Sequence, residues 1–426
     1  MPLFTPELEF SDDYPTIEPS LRLDFANARA FDPRITFTRD SVATYIGRDG
    51  LVKYAGVNEP RFDHDPVTGE SLGFLIEEQR TNFIPNGDQI GGSGWSNPGS
   101  NSSNLSTNNP APTGENVAST WSGPGYYEVV SGTTDGTTYM MSVYAKQNNA
   151  GTDGFASLQL GSDTNTWGGG SDKAHASFNL ATGTVISTTT GVVSYGIEDV
   201  GNGWYRCYVS GVKSGTGDIA VVCYTANQGT GATLYAWGAQ LEAGAFLTSY
   251  IPTSGATVTR EKEFPVIETS SIDFRDFSQG GEGTLVCEFS NADANGSDIA
   301  VSFSGDTHNG ATFVGLGTNS NRNAFNRVRV DSTNTVLSVD SNFTTTGFYK
   351  LAFGIGQSRC TLAVRGSSSG VLEDTSVSYD STPYTKLILG CDQTSSSSNN
   401  MINGTIKSVF YYPTLLTDTQ LQTLTQ

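Results

Sequence analysis

The sequence has little of what most catalytic and metal sites use. It holds three histidines (His64, His175, His308) in 426 residues, and none lies near a G-x-S-x-G motif, which argues against a Ser-His-Asp hydrolase. Charged side chains are 15% of the chain, below the roughly 25% usual in soluble domains. Its five cysteines (Cys207, Cys223, Cys287, Cys360, Cys391) are widely spaced, with no CxxC and no His-Cys pairing, so zinc is disfavoured. They read as buried free thiols, although Cys207 and Cys223 fall on expected neighbouring strands and could face each other. Basic residues are few, 23 against 43 acidic, for a net charge of −20. Phosphate-directed nucleic-acid binding needs a basic surface, so that class is set aside. No run reaches the roughly 20 apolar residues of a membrane span. No internal repeat of the kind that builds a long β-helix is present, which weighs against a polysaccharide depolymerase.

Glycine, at 49 residues, is abundant, and small polar residues dominate between short apolar alternations. These compositions suit strands and tight turns and serve helices poorly. The expected fold is all-β: a short N-terminal β module, then two β-sandwich (jelly-roll) domains and one short C-terminal helix. Residues 1–20, with four prolines and five acids, read as an extended arm rather than a signal peptide. Residues 21–85 form the module, 86–119 an irregular linker, 120–252 the first jelly roll, 253–270 a connector and 271–426 a second sandwich. In the jelly roll, Tyr139, Met141, Val143 and Ala145 share one strand face, and Ala156, Leu158 and Leu160 share another. Trp204 and Trp237 fall inside alternating strands as core candidates. Near the C-terminus, Thr417 and Gln420 have capping-box spacing, with Leu421 and Leu424 three apart.

Few polar clusters suggest chemistry. Asp63-His64-Asp65 could bind a metal or relay protons, but strand neighbours point to opposite sides, and Asp65-Pro66 is a common turn start. Glu77-Glu78 is adjacent rather than opposed, unlike the carboxylate pair of a glycosidase. No catalytic residue, metal ligand or cofactor is assigned. Calcium is left open by the run Asn291-Ala292-Asp293-Ala294-Asn295-Gly296, whose ligand pattern is incomplete. Aromatics beside glycine or serine offer sugar-stacking platforms. Trp121, Tyr126 and Trp167 are the ligand-binding candidates, each weighed against plain packing.

One stretch is dense in turn signals: Asp49-Gly50, Glu59-Pro60, Asp65-Pro66 and Thr68-Gly69. Around them run Phe37-Thr38-Arg39, Ser41, Ala43-Thr44-Tyr45, Pro60-Arg61-Phe62-Asp63, Leu75-Ile76-Glu77-Glu78 and Thr81-Asn82. A second phrase follows, Trp237-Gly238-Ala239-Gln240-Leu241-Glu242-Ala243-Gly244, then Thr248-Ser249-Tyr250-Ile251-Pro252-Thr253. Together they resemble the N-terminal module and a later phrase of tailed-bacteriophage structural proteins. The strand order of 120–252 resembles galactose-binding-like carbohydrate-binding modules, and Gly404, Ile406, Val409, Tyr411 and Tyr412 resemble the end of concanavalin-like or laminin-G-like sandwiches. The resemblance implies a non-enzymatic virion surface protein, a tail fibre or head fibre/spike, that binds host-surface glycans. A capsid decoration protein is the alternative. It implies anchoring through Arg39, Tyr45, Arg61, Phe62, Asp63, Glu77 and Asn82. It further implies capsid or tail partners, a homotrimer, synthesis in the host bacterial cytoplasm and display on the virion.

Overall fold

The computed structural model describes residues 13–27, 31–96, 103–122, 125–148, 155–162, 174–215, 217–225, 233–292, 298–305, 313–319, 323–330, 333–339, 347–365, 370–392 and 400–426. Among them the chain is all-β, with jelly-roll sandwiches, a single α-helix at the C-terminal end and two short 3-10 turns. It divides into two compact units, and both are discontinuous in sequence.

The first unit takes residues 1–38, 72–78 and 263–426. One sheet runs Leu372–Asp374, Cys360–Val364, Tyr349–Ile355, Gly283–Phe289, Gly404–Tyr412 and Ser71–Ile76, and Leu21–Asp24 also pairs with Gly404–Tyr412. The other runs Ile35–Thr38, Phe264–Glu268, Lys386–Leu389, Asp298–Ser304, Phe313–Thr318, Ala324–Val330 and Thr333–Val339. Its helix, Asp418–Leu424, has the expected capping box: Thr417 Oγ1 accepts from the Gln420 amide at 3.4 Å, and Gln420 Oε1 accepts from the Thr417 amide at 3.1 Å. Leu421 is sealed in the core below.

The second unit takes residues 39–71 and 79–262. It has a five-stranded sheet, ordered Tyr126–Val130, Ile219–Thr225, Phe155–Ser162, Ala174–Asn179 and Thr184–Thr188. Its six-stranded sheet is ordered Val192–Asp199, Trp204–Val212, Thr138–Gln147, Thr233–Ala243, Asn116–Ser122 and Ser103–Pro110. The inner faces meet in one core that includes Tyr139, Met141, Val143, Leu158, Leu160, Phe178, Val209, Val221 and Leu241. The outer face of the six-stranded sheet is also buried. Tyr144, Trp204 and Trp237 on it pack with Val52, Ala111, Ala118 and Tyr250. The hairpin of Ala43–Ile46 and Val52–Ala55 thereby adds a third layer to the jelly roll.

Three expected boundaries are corrected. Residues 21–85 do not make a body of their own: Leu21–Asp24 and Ile35–Thr38 join sheets of the first unit, whereas residues 39–71 belong to the second. Strands of three or four residues bury too little surface to stand alone, and they complete larger sheets instead. The linker at 86–119 carries the strand Ser103–Pro110 and the start of Asn116–Ser122. The connector at 253–270 carries Val258–Arg260 and Phe264–Glu268. Small polar residues gave Ser103–Pro110 and Asn116–Ser122 a weak period-2 signal, and Val258–Arg260 and Phe264–Glu268 are too short to show a period.

The two sequence phrases meet inside the second unit. Arg61, with no exposed surface, donates to the Thr44 carbonyl and to Ser249 Oγ, both at 2.7 Å. Asn82 donates to the carbonyls of Ala239 at 3.1 Å and Ile251 at 3.0 Å, and accepts from the Leu241 amide at 3.1 Å. Gly238 has φ +67°, and the register between Thr138–Gln147 and Thr233–Ala243 shifts at Ser142/Tyr144, opposite it. This is a β-bulge that needs a glycine, since an added Cβ would meet the Tyr144 ring at 3.0 Å. Truncating Arg61 to Ala removes two hydrogen bonds from a buried cation. We expect a loss of about 3 kcal/mol, read as a lower urea midpoint at unchanged slope; a loss under about 1 kcal/mol would contradict this role.

Candidate functional site

Strand parity decides which side chains of the jelly roll can meet a ligand. On Tyr126–Val130, the inward residues are Tyr126, Glu128 and Val130, and the outward ones are Tyr127 and Val129. Tyr126 is 4% exposed and its ring stands against Gly91. The candidate Tyr126 is therefore a core residue, and its neighbour Tyr127 takes the outward place. Trp121 lies in Asn116–Ser122, opposite Leu234. Trp167 lies outside the described residues.

Tyr127 begins a row across the outer face of the five-stranded sheet. It registers with Val222, Val222 with Gln159, and Gln159 with His175. Directly opposed residues share a face, so these four side chains form one line about 14 Å long at the usual strand spacing. Tyr127, Gln159 and His175 are half-buried, and Val222 is the buried floor between them. A second line, Ser157 and Ser177, runs beside it; their hydroxyls are 2.8 Å apart, and Ser177 Oγ is 3.3 Å from His175 Nε2. Burial lowers the His175 pKa, which favours the neutral imidazole with one donor and one acceptor nitrogen. Ser157 and Ser177 are buried and support the row; its half-buried aromatic ring, amide and imidazole are the groups that stack on sugar C–H surfaces and bond sugar hydroxyls. Gln159 and His175 carried no distinguishing signal in the sequence. Only cross-strand register brings them beside Tyr127.

The residues assigned to anchoring separate into two sets. Arg39, Arg61, Glu77 and Asn82 are buried, and Arg39, Arg61 and Asn82 bond the protein's own backbone, so they present no docking surface. Arg39, for example, donates to the carbonyls of Ser41, Gly56 and Glu59 at 3.0, 2.6 and 2.9 Å. Tyr45 and Phe62 are half-buried and line a shallow hollow with Arg48, Asp49, Lys53 and His64. Asp63 Oδ1 accepts from the Ile46 amide at 2.6 Å, His64 Nδ1 lies 3.1 Å from the Ile46 carbonyl, and Asp65 Oδ1 accepts from Val67 and Thr68. The Asp-His-Asp run thus closes a turn and its flanking strand. In the run left open for calcium, Asn291 is buried and donates to Asp298 Oδ2 at 2.8 Å and Thr318 Oγ1 at 3.0 Å. Positions 293–297 lie outside the described residues. All five cysteines are free and buried.

One inward residue is out of character. Glu128 is 6% exposed, and its Oε2 has no hydrogen-bond partner among the described residues. An added Cβ at Gly94 would lie 2.7 Å from Asn86 Nδ2 and 3.1 Å from Glu128 Oε1, so the loop backbone closes directly over the acid.

No family model matches the chain, and no curated protein matches it. Among solved structures, similarity is found to a carbohydrate-binding module of a Ruminococcus gnavus sialidase bound to α2,3-sialyllactose: 15% identity, TM-score 0.30, covering 34% of this chain and 84% of that one. A pentraxin from Limulus polyphemus matches at 12% identity and TM-score 0.30, over 34% of this chain and 70% of that one. Domain 4 of an extracellular arabinanase from Geobacillus stearothermophilus, in complex with arabinotriose, matches at 13% identity and TM-score 0.29, over 43% and 82%. Likeness at this level assigns neither ligand nor chemistry to this chain.

Burial pushes the Glu128 carboxyl up to about 7 from an ordinary 4.5. The unfolded chain ionises first as pH rises, so the folded state loses stability between about pH 4.5 and 7 and no further above that. With partial screening by water this is about 1–2 kcal/mol. Glu128→Gln removes the term: the melting-temperature gain of the variant over wild type should grow by several degrees from pH 4.5 to pH 7.5. A gain that is flat with pH would contradict the assignment.

Proposed function

We propose that this chain is a non-enzymatic surface protein of a tailed-phage virion, a tail fibre or head fibre/spike, that binds host-surface glycans. The observation that carries glycan binding is the outward row Tyr127–Val222–Gln159–His175. It offers a stacking ring, an apolar floor and two hydrogen-bonding groups in register. The opposite sheet of the same jelly roll has its outer face under an aromatic layer, which leaves the five-stranded sheet as the binding face. The virion setting is supported by the two sequence phrases and by their meeting around Arg61 and Asn82. The hollow at Tyr45 and Phe62 is the anchoring surface in this reading, in place of the buried arginines. Each site is weak and shallow, so useful adsorption requires several copies, and the reading includes a homotrimer.

The test is a screen of neutral oligosaccharides against the full-length protein, followed by calorimetry on the best binder. Tyr127→Ala and Gln159→Ala should each weaken binding about tenfold or more, equivalent to about 1.4 kcal/mol, while melting temperatures stay within a few degrees. Polysaccharide incubated with the protein should release no reducing sugar. Unchanged affinity in both variants would remove the row from the site. Reducing-sugar release would replace binding with depolymerisation.

A further inference from the structure

A second charged feature lies on the seven-stranded sheet of the first unit. On Ala324–Val330, Asn326 and Val328 point inward and are buried, at 0% and 2% exposure. Arg327 and Arg329 alternate with them and share the other face. Arg327 registers with Gly315 on one side and with Val336 on the other, and Val336 is 43% exposed. The face is thus open to solvent at the edge strand Thr333–Val339. Beneath it lies a small sealed core cluster of Ile299, Phe313 and Phe325, none of which reaches the surface. The Arg327 guanidinium sits 4.7 Å from the Phe325 ring centroid, which orients it over that cluster.

Among the described residues these two cations feel the carboxylate of Asp392 but form no close ion pair. Arg34, Arg275, Arg359 and Arg365 of the same unit each reach a carboxylate within 4 Å. Arg327 and Arg329 form no ion pair or hydrogen bond through their side chains among the described residues, and the Nε of each is buried. This occurs in a chain with 43 acidic residues against 23 basic ones. Burial, then the like charge of Arg329, lowers the pKa of Arg327. Asp392 acts the other way, but it is buried, bonded to the Asn400 side chain, and has its own carboxyl pushed up by burial. Two desolvated like charges two residues apart repel, and an anion between them would relieve both. Gly315 across from Arg327 puts no side chain in the way.

We propose that Arg327 and Arg329 form an anion subsite that takes the carboxylate of an acidic saccharide. A planar carboxylate matches the guanidinium fork, and the exposed Val336 across from Arg327 offers apolar surface to the sugar ring that carries it. The saccharide part of this inference rests on the glycan-binding reading; the anion part does not. The subsite is separate from the Tyr127 row and predicts a different ligand class.

The experiment titrates the full-length protein with uronic-acid and sialic-acid oligosaccharides, with the methyl esters of the same sugars, and with acetate as competitor. At least one acidic sugar should bind, its neutral ester at least tenfold more weakly. Arg327→Gln and Arg329→Gln should each weaken the acidic sugar at least tenfold, and Arg329→Lys should restore only part of this. Tyr127→Ala should leave acidic-sugar binding unchanged while reducing that of neutral oligosaccharides. Acetate at 50 mM or above should compete, and competition by acetate with no preference for any acidic sugar would reduce the site to a generic anion site and overturn the saccharide assignment. Equal binding of acid and ester by the wild-type protein would overturn the proposal even if a variant failed to fold. So would unchanged binding in the arginine variants, or no acidic sugar bound at 10 mM. A wild-type protein that binds an acidic sugar but no neutral oligosaccharide would tell against the Tyr127 row and leave the arginine pair standing.

Discussion

Buried guanidinium groups bonded to backbone carbonyls hold the jelly-roll unit together. Arg206 donates to the Thr248 carbonyl at 2.8 Å, Arg260 to Thr248 Oγ1 at 3.2 Å and Ser249 Oγ at 3.0 Å, and Arg61 to Ser249 Oγ at 2.7 Å. Glu242 closes the group from below, accepting from the Thr248 amide at 3.0 Å and hydroxyl at 2.6 Å. Three buried guanidinium groups converge on residues 248 and 249, and moving these residues would cost those cations their bonds, which fixes the path of the segment. That path places Tyr250 against Trp237, with ring centroids 4.6 Å apart, and brings Thr44 Oγ1 onto the Tyr250 carbonyl at 2.5 Å. The third layer follows from it, and with it the sealing of one outer sheet face. The other outer face carries the Tyr127 row.

Much of the architecture was legible as alternation. Tyr139, Met141 and Val143, or Ala156, Leu158 and Leu160, line the core as their spacing implied. The capping box at Thr417 was legible from two residue types three apart. The domain boundaries were not, because short polar strands such as Ser103–Pro110 carry no period and because pairing between distant segments has no local signature. The phrases Arg61 to Asn82 and Trp237 to Thr253 were visible as unusual. That they fold against each other was not, since nothing local encodes a separation of 188 residues between Arg61 and Ser249.

The proposed row was only partly legible in the sequence. A sugar-stacking tyrosine was expected after the Ser122-Gly123-Pro124-Gly125 turn, yet one step along a strand exchanges inside for outside, and Tyr127 rather than Tyr126 faces out. Gln159 and His175 become partners of Tyr127 only through two registers set by the whole sheet. Glu128 and the Arg327–Arg329 pair carried no sequence signal of their own, because burial exists only in three dimensions.

The most direct test of the account is a crystal structure of the full-length protein soaked with a neutral oligosaccharide that it binds in solution. The account predicts sugar density over the Tyr127–Val222–Gln159–His175 row, with a ring stacked on Tyr127. Ordered sugar elsewhere on the jelly roll with that row empty would contradict it.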